Sequence, residues 1–220
     1  MDNLLKVEFH CHTIYSRDSL TEVDRLVATA RQRGIDRLVV TDHNTIRGAL
    51  EARKLDPELV VVGEELLTTR GELLVAFVQE ELPRGLEPME AIERLRAQGA
   101  FISVSHPFDR RRHGWALEDL LAITPYVDAI EVFNARCQWD GLNRMAVNYA
   151  REHRLSGTAG SDAHTLREVG QATFKVPAFE DGDGLRSVIS QAIIEGRLSS
   201  PFIHFSSTYA RISKMLKGRI

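Results

Sequence analysis

The sequence predicts a parallel α/β fold, and two observations carry that prediction. Short apolar runs alternate with longer amphipathic stretches along most of the chain. Histidines and acids gather at the C-terminal ends of those runs, which is where parallel α/β folds build their sites. The 220 residues are 43% hydrophobic, enough for one domain with a real core and too few for two large ones.

The elements follow from local pattern. Leu4–Phe9 reads as a strand. A helix follows from about Glu22 to Arg33, with Thr21 as its N-cap and Gly34 as its stop. Ile35–Thr41 is a second strand and Ile46–Lys54 a short helix. Leu59–Val62 and Leu73–Val78 are strands joined by a turn at Arg70-Gly71. Pro88–Gln98 is a helix closed by Gly99, Phe101–Val104 a strand, Leu117–Ile123 a helix and Val127–Phe133 a strand. Trp139–His153 reads as a long helix and Leu155–Ala159 as a strand. Gly184–Glu195 reads as a helix ended by Gly196. Residues 1–205 form the expected domain. Residues 206–220, basic at Arg211, Lys214, Lys217 and Arg219, read as a packed or solvated C-terminal helix rather than a binding arm.

Composition excludes several classes. With 28 Lys+Arg against 31 Asp+Glu, the chain is neither a strongly basic nucleic-acid binder nor an acidic disordered tail. Two cysteines exclude a disulfide framework and a four-cysteine zinc site. The start lacks the pattern of a signal peptide, and no apolar run approaches the roughly 20 residues of a membrane span, so a cytoplasmic protein with reduced thiols is expected. Eight histidines mean that any metal is held by nitrogen and oxygen.

Five run ends carry the chemistry: His10-Cys11-His12, Thr41-Asp42-His43, Gly63-Glu64-Glu65, Ser105-His106-Pro107 and Gly160-Ser161-Asp162-Ala163-His164. Side chains at i and i+2 of a strand share a face, so His10 and His12 can grip one ion, and Asp162 and His164 can do the same. Cys11 should face away from both imidazoles. Asp42 and His43 point apart. His43 is the expected ligand, with Asp42 orienting ring or backbone behind it. Glu64 and Glu65 pose the same choice. A lone histidine is ordinarily a surface or capping group, and His113, His153 and His204 are read that way.

This ordered set, with Thr13, Ser16-Arg17-Asp18-Ser19 and Asn44, resembles the polymerase and histidinol phosphatase (PHP) domain family; Phe133-Asn134-Ala135-Arg136 also fits. The resemblance implies a distorted seven-stranded α/β barrel holding two or three divalent ions. It implies one cluster of His10, His12, Asp162 and a bridging Glu, a second of Asp18, His43 and His164, and a third of the bridging Glu with His106. The family motif sets its bridging acid two residues after the glycine, which selects Glu65. Glu65, Asp162 and His164 are then the expected catalytic set. Many members carry a histidine after a glycine in the next strand. Here that pattern is Gly71-Glu72, so Glu72 either replaces the imidazole or leaves the third site weak.

Clustered divalent ions suit phosphate-ester hydrolysis, because they generate hydroxide near neutral pH and neutralise charge on phosphoryl oxygens. A mixed nitrogen and oxygen site fits Mn²⁺, Zn²⁺ or Fe²⁺. Arginine forks match phosphate oxygens, which makes Arg17, Arg136 and the run Arg110–Arg112, with Arg110 first, candidate substrate contacts. The expected substrate is a small phosphorylated metabolite or nucleotide. A proofreading-type nuclease is the second reading, opposed by the mild acidity and the lack of a basic, aromatic stripe. A non-catalytic, metal-stabilised binding domain is the third.

Overall fold

A computed structural model describes residues 4–216. In chain order it contains β1 (Leu5–Glu8), α1 (Val23–Gln32), β2 (Arg37–Val40), α2 (Arg47–Leu55), β3 (Val60–Leu67), β4 (Glu72–Ala76), α3 (Pro88–Ala97) and β5 (Phe101–Val104). Then come α4 (Leu117–Ile123), β6 (Ala129–Asn134), α5 (Gly141–His153), β7 (Ser156–Gly160), β8 (Ala172–Val176), α6 (Gly182–Val188), β9 (Ile193–Gly196) and α7 (His204–Leu216).

The strands lie in the order β7-β6-β5-β4-β3-β2-β1-β8-β9. Beyond the end of β1, Cys11 bridges in parallel to Ala163, beyond the end of β7. The His12 amide donates to the Ala163 carbonyl at 2.8 Å, and the Ala163 amide to the His10 carbonyl at 3.2 Å. Strands β1 to β7 therefore come round into a nearly closed barrel, and β8 and β9 extend the sheet beyond β1.

The barrel is not wholly parallel. β4 runs antiparallel to both β3 and β5, because the short connection Thr68–Gly71 allows only a hairpin. β8 is antiparallel to β1, and β9 to β8. The helix expected over 184–195 is also corrected. α6 stops at Val188, a 3₁₀ turn covers Ile189–Gln191, and Ile193–Gly196 becomes β9. The β-branched pair Ile193-Ile194 finds a partner strand in β8, with Ile194 opposite Phe174. β8 lies outside the predicted elements, although Ala172, Phe174 and Val176 alternate into the core. At α1 the N-cap is Glu22 rather than Thr21, whose hydroxyl donates instead to the His164 carbonyl at 3.0 Å.

Two apolar shells hold the sheet. Val39 and Val61 join Val7, Phe9, Leu74 and Phe101 inside the barrel. Leu38, Val40, Val60 and Val62 point outward against Leu26 and the other helix residues. This two-residue alternation continues along β3, so Glu65 turns inward and Glu64 outward. Among the described residues no helix is long and apolar enough to cross a membrane.

Candidate metal centre

Backbone pairing past the strand ends assembles the site. The Cys11–Ala163 bridge sets His10 and His12 against Asp162, whose Oδ1 lies 3.6 Å from His10 Nε2 and 3.3 Å from His12 Nε2. Cys11 itself faces the outer core. A second parallel bridge joins His43 to Glu65, with the Glu65 amide 3.1 Å from the Asp42 carbonyl.

The Glu65 carboxylate stands at the centre. Its Oε1 is 3.0 Å from His106 Nε2 and 3.4 Å from His10 Nε2. Its Oε2 is 2.9 Å from His43 Nδ1 and 3.5 Å from His12 Nε2. Asp18 Oδ1 is 3.4 Å from His43 Nε2 and 3.3 Å from His164 Nε2. Glu72 reaches the same cluster, with Oε2 3.5 Å from His106 Nε2. The residues expected as ligands, His10, His12, Asp18, His43, Glu65, His106, Asp162 and His164, thus converge on one end of the barrel. His113 lies at the rim of the cavity above them, and His153 packs on Tyr149 away from the site. The His204 side chain lies outside the described residues.

A layer of buried groups behind the cluster fixes its geometry. Glu131 Oε1 meets His10 Nδ1 at 2.9 Å, and Glu131 Oε2 accepts from the His106 amide at 2.8 Å. Asp42 accepts from the Thr13 amide at 2.7 Å and from the Thr13 and Ser16 hydroxyls at 2.6 Å. The Ser16 hydroxyl also lies 3.0 Å from His12 Nδ1, so Asp42 orients that ring through one intermediary. Arg112 pairs with Asp162 and, at 2.9 Å, with Asp109. Glu131 is not among the residues expected at the site. Its signal was an acid inside the apolar run Ile130-Glu131-Val132, since a buried charge must find a partner.

The electrostatics couple the acids of the cluster to its rings. Burial opposes the charged forms of Glu65 and Asp162. The rings around them, with Arg112 beside Asp162, outweigh it and hold both well below the usual carboxylate range. Burial, then the neighbouring His164 and His43, push His12 well down, toward the neutral imidazole that a metal needs. Burial, then the Glu65 charge, push Glu72 up to about 7. His10 Nε2, His12 Nε2, Asp18 Oδ1 and Glu65 Oε2 are buried atoms with no hydrogen-bond partner. Such orphans are costly unless something binds them. Three ligand groups are close enough for an ion: His10-His12-Asp162, His12-His43-His164 and His43-Glu65-Glu72, with donor atoms inside 4.8 Å of one another. The donor set therefore fits divalent metal.

Above the cluster lies a cavity of about 250 Å³. Arg17, Arg111, Arg112, Arg136 and Arg211 contribute to its lining. Arg110 does not. It is exposed on the 3₁₀ turn Arg110–Arg112, and its two neighbours face the cavity instead. Arg136 contacts Glu168 at 3.3 Å and the Ser207 hydroxyl at 2.9 Å.

Comparison with known proteins identifies the family of the chain. The PHP domain matches residues 8–94, and the PHP-associated domain matches residues 141–196. The uncharacterized protein MJ1587 of Methanocaldococcus jannaschii is 36% identical over 159 residues, 66% of this chain and 90% of its own. The chain therefore belongs to the PHP domain family. Among solved structures, PsfC from Pseudomonas syringae superposes with a TM-score of 0.72 at 21% identity, over 96% of this chain and 99% of that one. A candidate metal-dependent phosphoesterase from Bifidobacterium adolescentis gives 0.60 at 17%, over 85% and 96%. The lesion-specific endonuclease Q of Pyrococcus furiosus gives 0.64 at 16%, over 87% and 58%. At these identities the likeness is one of fold.

Proposed function

We propose that this protein is a metal-dependent phosphoesterase acting on a small phosphorylated metabolite or nucleotide. The observation that carries the proposal is that candidate metal ligands and arginines share one cavity. Carboxylate and imidazole groups, among them the unpartnered Asp18 Oδ1 and Glu65 Oε2, line the same cavity as five guanidinium groups. Divalent ions there, Mn²⁺, Zn²⁺ or Fe²⁺, would supply Lewis acidity toward water and the phosphoryl oxygens. His10, His12 and Asp162 would hold one ion, Asp18, His43 and His164 a second, and Glu65 with His106 would reach a third, Glu65 bridging. The arginines of the cavity orient the phosphate, and Arg112 also holds Asp162 in place.

The small cavity and the net charge of −3 favour a small substrate over a nucleic-acid strand. The test is turnover of p-nitrophenyl phosphate by metal-loaded protein, with loss in His12→Ala. Cleavage of oligonucleotides in preference to small esters would replace the reading with a nuclease. Absence of turnover with every reconstituted metal would leave a binding domain.

A further inference from the structure

Helix α7 borders the cavity and is fastened at two points. Near its start, Arg136 Nη2 donates to the Ser207 hydroxyl at 2.9 Å and to the Ile203 carbonyl at 3.4 Å. Near its end, the buried Lys214 ammonium donates to the carbonyls of Ile14 and Ser16, each at 2.5 Å. Those carbonyls belong to the loop that carries Arg17 and Asp18. Arg211 lies between the fastenings, one helical turn before Lys214, and lines the cavity.

The cavity arginines differ in what already holds them. Arg112 is engaged by Asp109 and Asp162, and Arg136 by Glu168. Arg111 donates to Gln138 at 2.8 Å. Arg17 and Arg211 are exposed, and neither has a carboxylate partner among the described residues. A guanidinium without a carboxylate partner, lining a cavity together with cation-binding groups, is available to an anion. Two of them match a phosphate dianion better than a diester monoanion.

We infer that Arg211, held by the α7–Lys214 fastening, is a specificity-determining residue that selects phosphomonoesters over diesters. The inference rests on the phosphoesterase reading and narrows its substrate class. Arg211 binds the dianion together with Arg17. Lys214 touches no substrate and acts as a positioning residue. By tying α7 to the loop of Arg17, it fixes the spacing of the two guanidinium groups.

The test uses the full chain with metal restored. It compares the parent with Arg211→Ala, Arg211→Lys, Lys214→Met and the double variant. Inorganic phosphate binding is read by calorimetry, and kinetics are read on p-nitrophenyl phosphate and on bis(p-nitrophenyl) phosphate. Loss of one charge-assisted contact predicts about a tenfold weaker phosphate affinity and a similar rise in monoester KM for Arg211→Ala. Its metal content stays near the parent, its diester KM rises less than its monoester KM, and Arg211→Lys recovers part of the loss. Lys214→Met raises the monoester KM in the same way, and the double variant is no worse than Arg211→Ala alone. Parent-like phosphate affinity and an unchanged monoester-to-diester ratio in Arg211→Ala would overturn the inference. Additive losses in the double variant would overturn the role given to Lys214. A parent that hydrolyses neither ester overturns the phosphoesterase reading, and the phosphate calorimetry then still decides the role of Arg211.

Discussion

Glu131 Oε1 lies 2.9 Å from His10 Nδ1 while its other oxygen accepts the His106 amide at 2.8 Å, so one buried carboxylate orients two of the candidate ligands. A carboxylate on one ring nitrogen fixes the tautomer and leaves the other nitrogen free for metal. That other nitrogen, His10 Nε2, is among the atoms without a partner. Glu131→Gln keeps the size and removes the charge. It should weaken metal affinity by about 10- to 100-fold with little change in folding. Titration of the metal-free protein with Zn²⁺ or Mn²⁺ measures this, and parent-like affinity would remove Glu131 from the site.

Gly160 makes room for the same histidine. A Cβ added there would stand 2.2 Å from the Cβ of His10 and 3.0 Å from its amide nitrogen. Neither neighbour can yield, since His10 is pinned by the Ala163 pairing and by Glu131. Gly160→Ala should cost about 1–3 kcal/mol, in the range of overpacked cores. Thermal unfolding in excess chelator should show a lower Tm, and metal retained through gel filtration should fall as well. An unchanged Tm would mean that the barrel gives at this point.

Much of this was legible in the sequence. Seven of the eight candidate ligands, all but Asp18, stood at the ends of apolar runs, and strand alternation accounts for the inward facing of His10, His12 and Glu65. His10 and His12 lie two apart, and Glu65 takes the inward phase of β3 that starts at Val61. Less legible were features set by long-range pairing. β9 was hidden because Ile193-Ile194 follows a helical stretch and becomes strand only when β8 offers an edge. The reversal at β4 needed the Thr68–Gly71 hairpin to be weighed against the parallel pattern around it. Arg110 could not be told from Arg111 and Arg112, since which residue of a 3₁₀ turn faces the cavity depends on how the turn is docked. Position in the chain gave no hint that α7 would carry Arg211 back to the site.

Glu64 should leave a mark on the pH dependence of stability. It faces outward on β3, where burial, and then the charge of Glu81, push it up to about 8; the Leu82 amide opposes them only in part. A carboxyl raised in the folded state stabilises the fold below its unfolded value, near 4.5. That contribution is lost as pH rises through about 8. Glu64→Gln removes this loss, which is at most about 5 kcal/mol. With chelator present, the variant should gain on the parent between pH 5 and pH 9, by the pH of half-unfolding in urea or by Tm. Parallel curves for the two proteins would show that Glu64 carries its charge without cost.

Glu72 offers a test of how many ions the centre holds. It follows Gly71, where the resemblance to the family leads one to expect a histidine. It lies 3.5 Å from His106 Nε2 and groups with His43 and Glu65 as a possible ligand set. Burial and the Glu65 charge oppose a charged Glu72, and a bound cation would offset both. Glu72→Gln removes the charge and keeps the volume. It should lower metal content per chain by one ion relative to the parent, while ions held by His10, His12 and Asp162 remain. Glu72→His should restore the count, since imidazole can replace the carboxylate as a ligand. Elemental analysis after dialysis against a weak chelator reads this directly. Equal metal content in the parent and Glu72→Gln would confine the ions to the sites formed by the other residues, and would make Glu72 a partner of His106 alone.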